Sequence, residues 1–218
     1  MDINYDSIEL KNISVELNSN IIIKDFSFIA KEKEITVISG KSGSGKTTVL
    51  NTLNLLYKPI EGEYFFKGKI IDYNDDVMIN NYRKFDIGYF HQETIFIERL
   101  TLIENINLVS LIRNQKIDTF KLKEYSSELG IENLINKNIS LMSGGERQRS
   151  SLLIMLLFDY NVILLDEPTN NLDEENINIT AKTLLNLKDK NTIVIVVSHS
   201  REMNEIADKI YLMEHISG

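Results

Sequence analysis

An α/β fold with a parallel-sheet core, an antiparallel β part beside it and an inserted α-helical subdomain is what this sequence predicts, on three observations. The glycine-rich run Gly40-Lys41-Ser42-Gly43-Ser44-Gly45-Lys46-Thr47 lies between an apolar stretch at 35–38 and a helix-like one at 48–56, the strand–loop–helix context of a phosphate-binding loop. Two uninterrupted apolar runs, 162–165 and 193–197, alternate with helical stretches, the pattern of parallel strands covered on both faces. Between residues 101 and 129 the pattern is helical, so a lobe of helices interrupts the strands.

The elements follow in chain order. Short apolar runs broken by turn residues open the chain: Ile8-Glu9-Leu10, 13–17, 21–23 and Phe26-Ser27-Phe28, with Tyr64-Phe65-Phe66 after Glu61-Gly62. They read as antiparallel strands flanking the phosphate loop. Residues 87–90 form a further strand ending at His91-Gln92. Thr101-Leu102-Ile103-Glu104 is a capping box that opens a helix carrying Ile106, Leu108, Val109, Leu111 and Ile112, and a second amphipathic stretch over 121–129 stops at Gly130. A third helix starts near Ser143, and a fourth covers residues near 176–187, between the two buried strands. The expected partition is a single domain over 1–218, with 1–92 and 159–218 as core and antiparallel part and 93–158 as the helical subdomain.

Composition narrows the function classes. A chain of 218 residues can bury one sizeable core but cannot hold a long multidomain machine. Its net charge is −8 and its 24 Lys and Arg residues are scattered rather than gathered in a stripe, which argues against a nucleic-acid partner. With no cysteine, disulfides, zinc ribbons and iron–sulfur ligation are excluded. The start, Met1-Asp2-Ile3-Asn4-Tyr5-Asp6, lacks the basic-then-apolar order of a signal peptide. The longest apolar runs, 152–158 and 193–197, fall short of the roughly 20 residues of a membrane span. The cytoplasm is the simplest compartment, and work at a membrane requires a second chain.

The chemistry starts at the loop. Its glycines let backbone wrap phosphate oxygens, and the following helix aims free N–H groups and its positive dipole end at them. Lys46 is suited to reach the β- and γ-phosphates and Thr47 to ligate Mg²⁺. Far downstream, the apolar run at 162–165 ends in Asp166-Glu167, where an α/β sheet presents ligands: Asp166 suits Mg²⁺ and Glu167 suits an attacking water. Taken alone, that pair also reads as a core strand leaving for solvent. Ser143, Gly144 and Gly145 open a second helix whose hydroxyl and N–H groups can bind phosphate, although Ser143 and Glu146 equally satisfy a capping box of that helix.

With Met142-Ser143-Gly144-Gly145-Glu146-Arg147-Gln148-Arg149 added to Lys46-Thr47, Gln92, Asp166-Glu167-Pro168-Thr169, Asn171-Leu172-Asp173 and Ser198-His199, in this order, the chain resembles the ATP-binding subunit of an ABC transporter along nearly its full length. The resemblance implies a phosphate-loop NTPase with a RecA-like core that hydrolyses ATP with Mg²⁺. It also implies a head-to-tail dimer sandwiching two ATP, each held by residues 40–48, including Thr48, of one chain and by Ser143, Gly144, Gly145, Glu146 and Asp173 of the other. Gln92 matches the loop glutamine that touches Mg²⁺ and the γ-phosphate, and His199 matches the switch histidine. By themselves Gln92 reads as a solvated loop residue, Asp173 as a helix cap and His199 as a structural histidine.

The sequence departs from the family in places. Its signature loop has Met142 for leucine and Glu146 for glutamine, Leu17 stands where an aromatic residue stacks on adenine, Lys33 replaces a common glycine, and Leu153-Ile154-Met155 replaces Ala-Arg-Ala. The group it most resembles serves macrolide or peptide export and lipoprotein release. That implies a separately encoded transmembrane permease docked near residues 95–100, on the inner face of the cell membrane. The alternative is a non-transporting, cell-division-type ATPase driving a membrane signalling complex. DNA-repair and chromosome-structuring relatives split these motifs around a long coiled coil, which is missing here, and a simple phosphate-loop kinase or GTPase would lack Ser143-Gly144-Gly145.

Overall fold

In the computed structural model, which describes residues 6–91, 96–170, 172–188 and 190–213, the N-terminal apolar runs merge into two long strands, β1 (Ser7–Leu17) and β2 (Asn20–Lys31). Asn18 and Ser19, with φ of 51° and 63°, make the two-residue hairpin turn between them. The breaks that suggest four strands are bulges: Asn12 and Asp25 adopt φ of 48° and 51°, and Asn12 Nδ2 donates to Asp25 Oδ1 at 2.6 Å. A bulge shifts the register without ending the ladder. With β4 (Glu61–Phe66) and β5 (Lys69–Ile70) they form an antiparallel sheet in the order β2-β1-β4-β5.

The second sheet is parallel, in the order β6-β7-β8-β3-β9. It comprises β3 (Ile35–Gly40), β6 (Ile87–Phe90), β7 (Val162–Asp166), β8 (Ile193–Val197) and β9 (Lys209–Met213). The last escapes sequence reading because only alternate residues of this edge strand are half-buried. Along β7, Ile163 and Leu165 enter a core under the helical subdomain, while Val162 and Leu164 enter the core shared with the antiparallel sheet. Both faces being covered is why these strands read as continuous apolar runs, each fully buried Leu or Ile contributing about 1.5–3 kcal/mol.

Helix α1 (Lys46–Leu53) follows β3, starting two residues earlier and ending three earlier than its apolar pattern indicates. Before β6 come two pieces without a sequence signal, α2 (Asp76–Asn81), capped by Asp75, and one π-helical turn, Tyr82–Asp86. The helical subdomain holds α3 (Leu102–Arg113), opened by the expected Thr101–Glu104 capping box, and α4 (Thr119–Glu128), capped by Asp118. It closes with α5 (Gly144–Leu157), which leads into β7. Helix α6 (Glu174–Lys188) crosses from β7 to β8, and the short α7 (Arg201–Glu205) precedes β9. Gln92 and Asn171 lie outside the described residues.

Candidate nucleotide site

Strands β7, β8 and β3 are neighbours, so the segments leaving their carboxyl ends converge at one edge of the parallel sheet. Backbone hydrogen bonds lock the three exits together: Glu167 N–H donates to Val197 O at 2.8 Å and Ser198 N–H to Ile38 O at 3.2 Å. A cavity of about 660 Å³ opens there. Its lining unites most of the residues read from sequence: Gly40, Lys41, Ser42, Gly43, Gly45, Lys46, Thr47, Thr48, Asp166, Glu167 and His199.

The loop's shape explains its glycines. A Cβ on Gly40 would lie 2.5 Å from Met213 O, because β9 runs close beside it. Gly45, the residue before α1, has φ of 92°, a conformation few side-chain-bearing residues adopt. Among the described residues no side chain caps α1, so its first-turn N–H groups and positive dipole end face the cavity without a side-chain acceptor. Lys46, 8% exposed, donates from Nζ to Gly40 O at 2.8 Å and Lys41 O at 3.1 Å, which holds the ammonium inside the loop. Ser44 does not line this cavity; its buried hydroxyl has no hydrogen-bond partner among the described residues, beside a smaller space of about 210 Å³ behind the loop.

On the opposite wall stand two carboxylates. Burial pushes the Asp166 carboxyl above its ordinary range, a hydrogen bond from Thr47 pulls it back, and the neighbouring Glu167 pushes it up again. Glu167 sits at φ 48°, a strained position for a residue with a side chain. Its Oε1 lies 2.9 Å from His199 Nδ1, so carboxylate and imidazole orient each other. Among the described residues no group of three or more His, Cys, Asp or Glu side chains is placed to hold a metal alone. A hydroxyl bonded to a carboxylate at the mouth of an anion-binding helix is nevertheless the hard-oxygen donor set that Mg²⁺ shares with phosphates and water. The residues present therefore fit phosphate oxygens together with Mg²⁺.

Ser143, Gly144, Gly145, Glu146 and Asp173 are not brought to this cavity within one chain. Ser143 accepts from Glu146 N–H at 3.3 Å and Glu146 accepts from Ser143 N–H at 2.8 Å, so the capping box is formed, with Lys137 Nζ 3.0 Å from the Glu146 carboxylate. Asp173 caps α6, its Oδ1 accepting from Asn176 N–H at 2.9 Å. The two adjacent glycines differ. A Cβ on Gly145 would lie 2.9 Å from Asn176 Nδ2, while one on Gly144 would meet nothing within 4 Å among the described residues. Packing in the chain accounts for the Gly145 position and not for Gly144.

Sequence reasoning misses Ile22, Asn170 and Val197, which also line the cavity. Ile22 belongs to the second strand of the hairpin, and only the fold carries that strand over the loop. Leu17, half-buried at the end of β1, is not among the lining residues. Phe96, at the expected partner groove, packs against the core, whereas the neighbouring Ile97 is 53% exposed.

Comparison with known proteins converges. A family model described as ABC transporter matches residues 23–170. The lipoprotein-releasing system ATP-binding protein LolD of Aquifex aeolicus is 31% identical over 210 residues, 95% of this chain and 93% of that protein. The macrolide export ATP-binding/permease protein MacB of Pasteurella multocida is 28% identical over 97% of this chain but only 33% of its own length. Among solved structures, the dimer of MJ0796, described as a bacterial ABC transporter cassette, superposes with a TM-score of 0.84 at 27% identity, covering 97% of this chain and 99% of that one. A post-hydrolysis dimer of the same cassette bound to ADP and Pi gives a TM-score of 0.85 at 27% identity, over 95% of this chain and 94% of that one.

Proposed function

Starting from the fact that this chain belongs to the ABC transporter family as an ATP-binding subunit and ATPase, we propose that it hydrolyses ATP in a head-to-tail dimer and thereby drives a separately encoded transmembrane permease. The observation that carries the reading is one cavity in which an uncapped helix tip and Lys46 face the Glu167–His199 pair. The tip and ammonium take the anion, and the pair stands where a base is needed.

In this reading the backbone of residues 40–48 and the Lys46 ammonium hold the triphosphate and stabilise charge developing on the γ-phosphoryl group. Glu167 orients a water in line with the γ-phosphorus and takes its proton as the bond to the ADP oxygen breaks. His199 holds the Glu167 carboxylate in place and offers its ring to the γ-phosphate. Thr47, Asp166 and, outside the described residues, Gln92 would hold Mg²⁺, which when bound neutralises phosphate charge.

The partner chain contributes Ser143, Gly144, Gly145 and Glu146 to the far side of the nucleotide, and Asp173 lies at the interface. Support comes from Gly144: among the described residues nothing would meet a Cβ there within 4 Å, which leaves room for the close approach of another molecule. The similar cassette MJ0796 is described as dimeric, which is consistent with a second chain taking part. We assign residues 93–158 as the subdomain that carries this surface and meets the permease, with the chain peripheral on the inner face of the membrane. Among the described residues no helix is long and apolar enough to cross it. Lipoprotein-releasing and macrolide-exporting relatives point to a peptide, drug or lipid-linked cargo.

The test is Glu167→Gln with Mg²⁺ and ATP. Turnover should fall by about 10²-fold or more, and a dimer should persist by size-exclusion chromatography. A monomer throughout, with nucleotide bound, would refute the sandwich.

A further inference from the structure

Helix α5 opens with a fixed negative charge, because the residue that closes its capping box is a glutamate. The Ser143 N–H and then the Lys137 ammonium hold the Glu146 carboxyl below its ordinary range, so it is ionised at neutral pH. Lys137 Nζ lies 3.0 Å from Glu146 Oε2 and 3.2 Å from Oε1, with the two side chains 32% and 23% exposed. Among the described residues this is the ion pair that Glu146 makes. The two arginines that follow it are occupied elsewhere, Arg147 Nη1 by Glu98 Oε1 at 3.0 Å and Arg149 Nη1 by Asn176 Oδ1.

The backbone fixes where that ammonium starts. Lys137 O accepts from Leu102 N–H at 3.1 Å, Asn138 bridges to Thr101, and Ile139 N–H donates to Leu100 O at 3.1 Å. Both members of the pair therefore belong to the helical subdomain, and the pair travels with the tip of α5 however that subdomain sits against the sheet.

A partly exposed ion pair contributes little to stability. Its charge balance matters more where a second chain closes on a nucleotide. The chain carries a net charge of −8, and α6 begins beside the exposed Asp173, Glu174 and Glu175, so two copies meeting over a triphosphate bring like charges together. As water leaves such a contact, an unbalanced carboxylate repels phosphate more strongly than it does in open solvent. A glutamine at 146 would close the same capping box without charge, so it is the glutamate that creates the need for a cation.

We propose that Lys137 is a positioning residue for the composite nucleotide site: by neutralising Glu146 it lets the tip of α5 approach the partner chain's triphosphate. This rests on the dimer reading above.

The test measures ATP-dependent dimerisation by analytical ultracentrifugation in Glu167→Gln chains with Mg²⁺ and ATP. Lys137→Gln, Lys137→Arg, Glu146→Gln and the double variant Lys137→Gln with Glu146→Gln are compared, and steady-state hydrolysis is followed for the same substitutions in chains that keep Glu167. Lys137→Gln should weaken the dimer about tenfold at low salt and much less at about 0.5 M salt, where charges are screened. Its ATP Kd as a single chain should stay within about twofold, because α1 holds the nucleotide there. Lys137→Arg, which keeps the charge, and the double variant, which removes both charges, should each dimerise within about threefold of the parent. Hydrolysis should follow the same order. A dimer constant within about twofold of the parent in Lys137→Gln, or a defect that Glu146→Gln does not repair, would overturn the proposal and leave Lys137 a structural residue. If Lys137→Gln does not fold, Lys137→Met decides by the same criteria. A Glu167→Gln parent that stays monomeric with nucleotide bound would refute the sandwich itself, and this role of Lys137 would fall with it.

Discussion

Helices α1 and α5 both begin with a serine followed by glycine, Ser44-Gly45 and Ser143-Gly144, yet their tips end in opposite electrical states. At α1 the glycine itself is the cap, at φ 92°, and the serine turns away, so the first N–H groups have no side-chain acceptor. At α5 the serine is the cap, Glu146 closes the box from the other side, and Lys137 balances the carboxylate. One residue of register separates a tip without a side-chain cap from a tip that already has acceptors of its own. An anion reaching α5 must compete with Ser143 and Glu146, whereas one reaching α1 meets no side-chain cap among the described residues. In the proposed dimer the two tips would take sequential roles, α1 holding nucleotide in the single chain and α5 engaging it only when a second chain arrives.

The strongest way to break this comparison is at α1. Lys46→Ala should abolish measurable ATP binding by calorimetry and lower hydrolysis about 10³-fold, because it removes the cation held at the anion site; full-affinity binding would show that the backbone tip suffices. Next is Gly144→Ala. Hydrolysis should fall about 10²-fold through a blocked approach of the partner's nucleotide, while ATP affinity of the single chain stays unchanged and stability rises by up to about 1 kcal/mol as a helical glycine is replaced. Weakened ATP binding by the single chain would place both tips in one site.

Ser143→Ala sharpens the contrast further. Loss of the cap should cost about 1 kcal/mol in thermal unfolding, and turnover per folded molecule should fall about tenfold if the hydroxyl also serves the second chain's nucleotide. Destabilisation with unchanged turnover would confine Ser143 to its own helix. The smallest effect is at Leu17: an aromatic contact worth about 0.5–1.5 kcal/mol implies that Leu17→Tyr tightens ATP roughly two- to tenfold. An unchanged Kd would mean that Ile22, which does line the cavity, serves that wall alone.

Much of this is legible from residue order. The phosphate loop, the two carboxylates at the end of β7 and the histidine after β8 each close a run whose pattern fixes a strand, and strand exits of a parallel sheet meet at one edge. The hairpin, whose pattern reads as four strands, shows where pattern fails: Asn12 and Asp25 look like turn residues, and only cross-strand pairing reveals that they face each other as bulges. Edge strand β9 and the π-helical turn before β6 lack a signal because half-exposed segments need no apolar period.

By itself the sequence determined the chemistry available, since glycines able to adopt positive φ, a lysine, two carboxylates and a histidine at strand ends are local facts of residue type and spacing. Tertiary structure alone decided which of two similar helix tips stays open, which glycine is explained by Asn176 and which is left facing open space, and where a buried arginine finds its acceptors. The reason is physical. Propensity and capping act over a few residues, whereas desolvation and hydrogen-bond satisfaction depend on groups that the chain brings together from far apart, as Arg113 is brought to Asp159, and that adjacency is created only by folding.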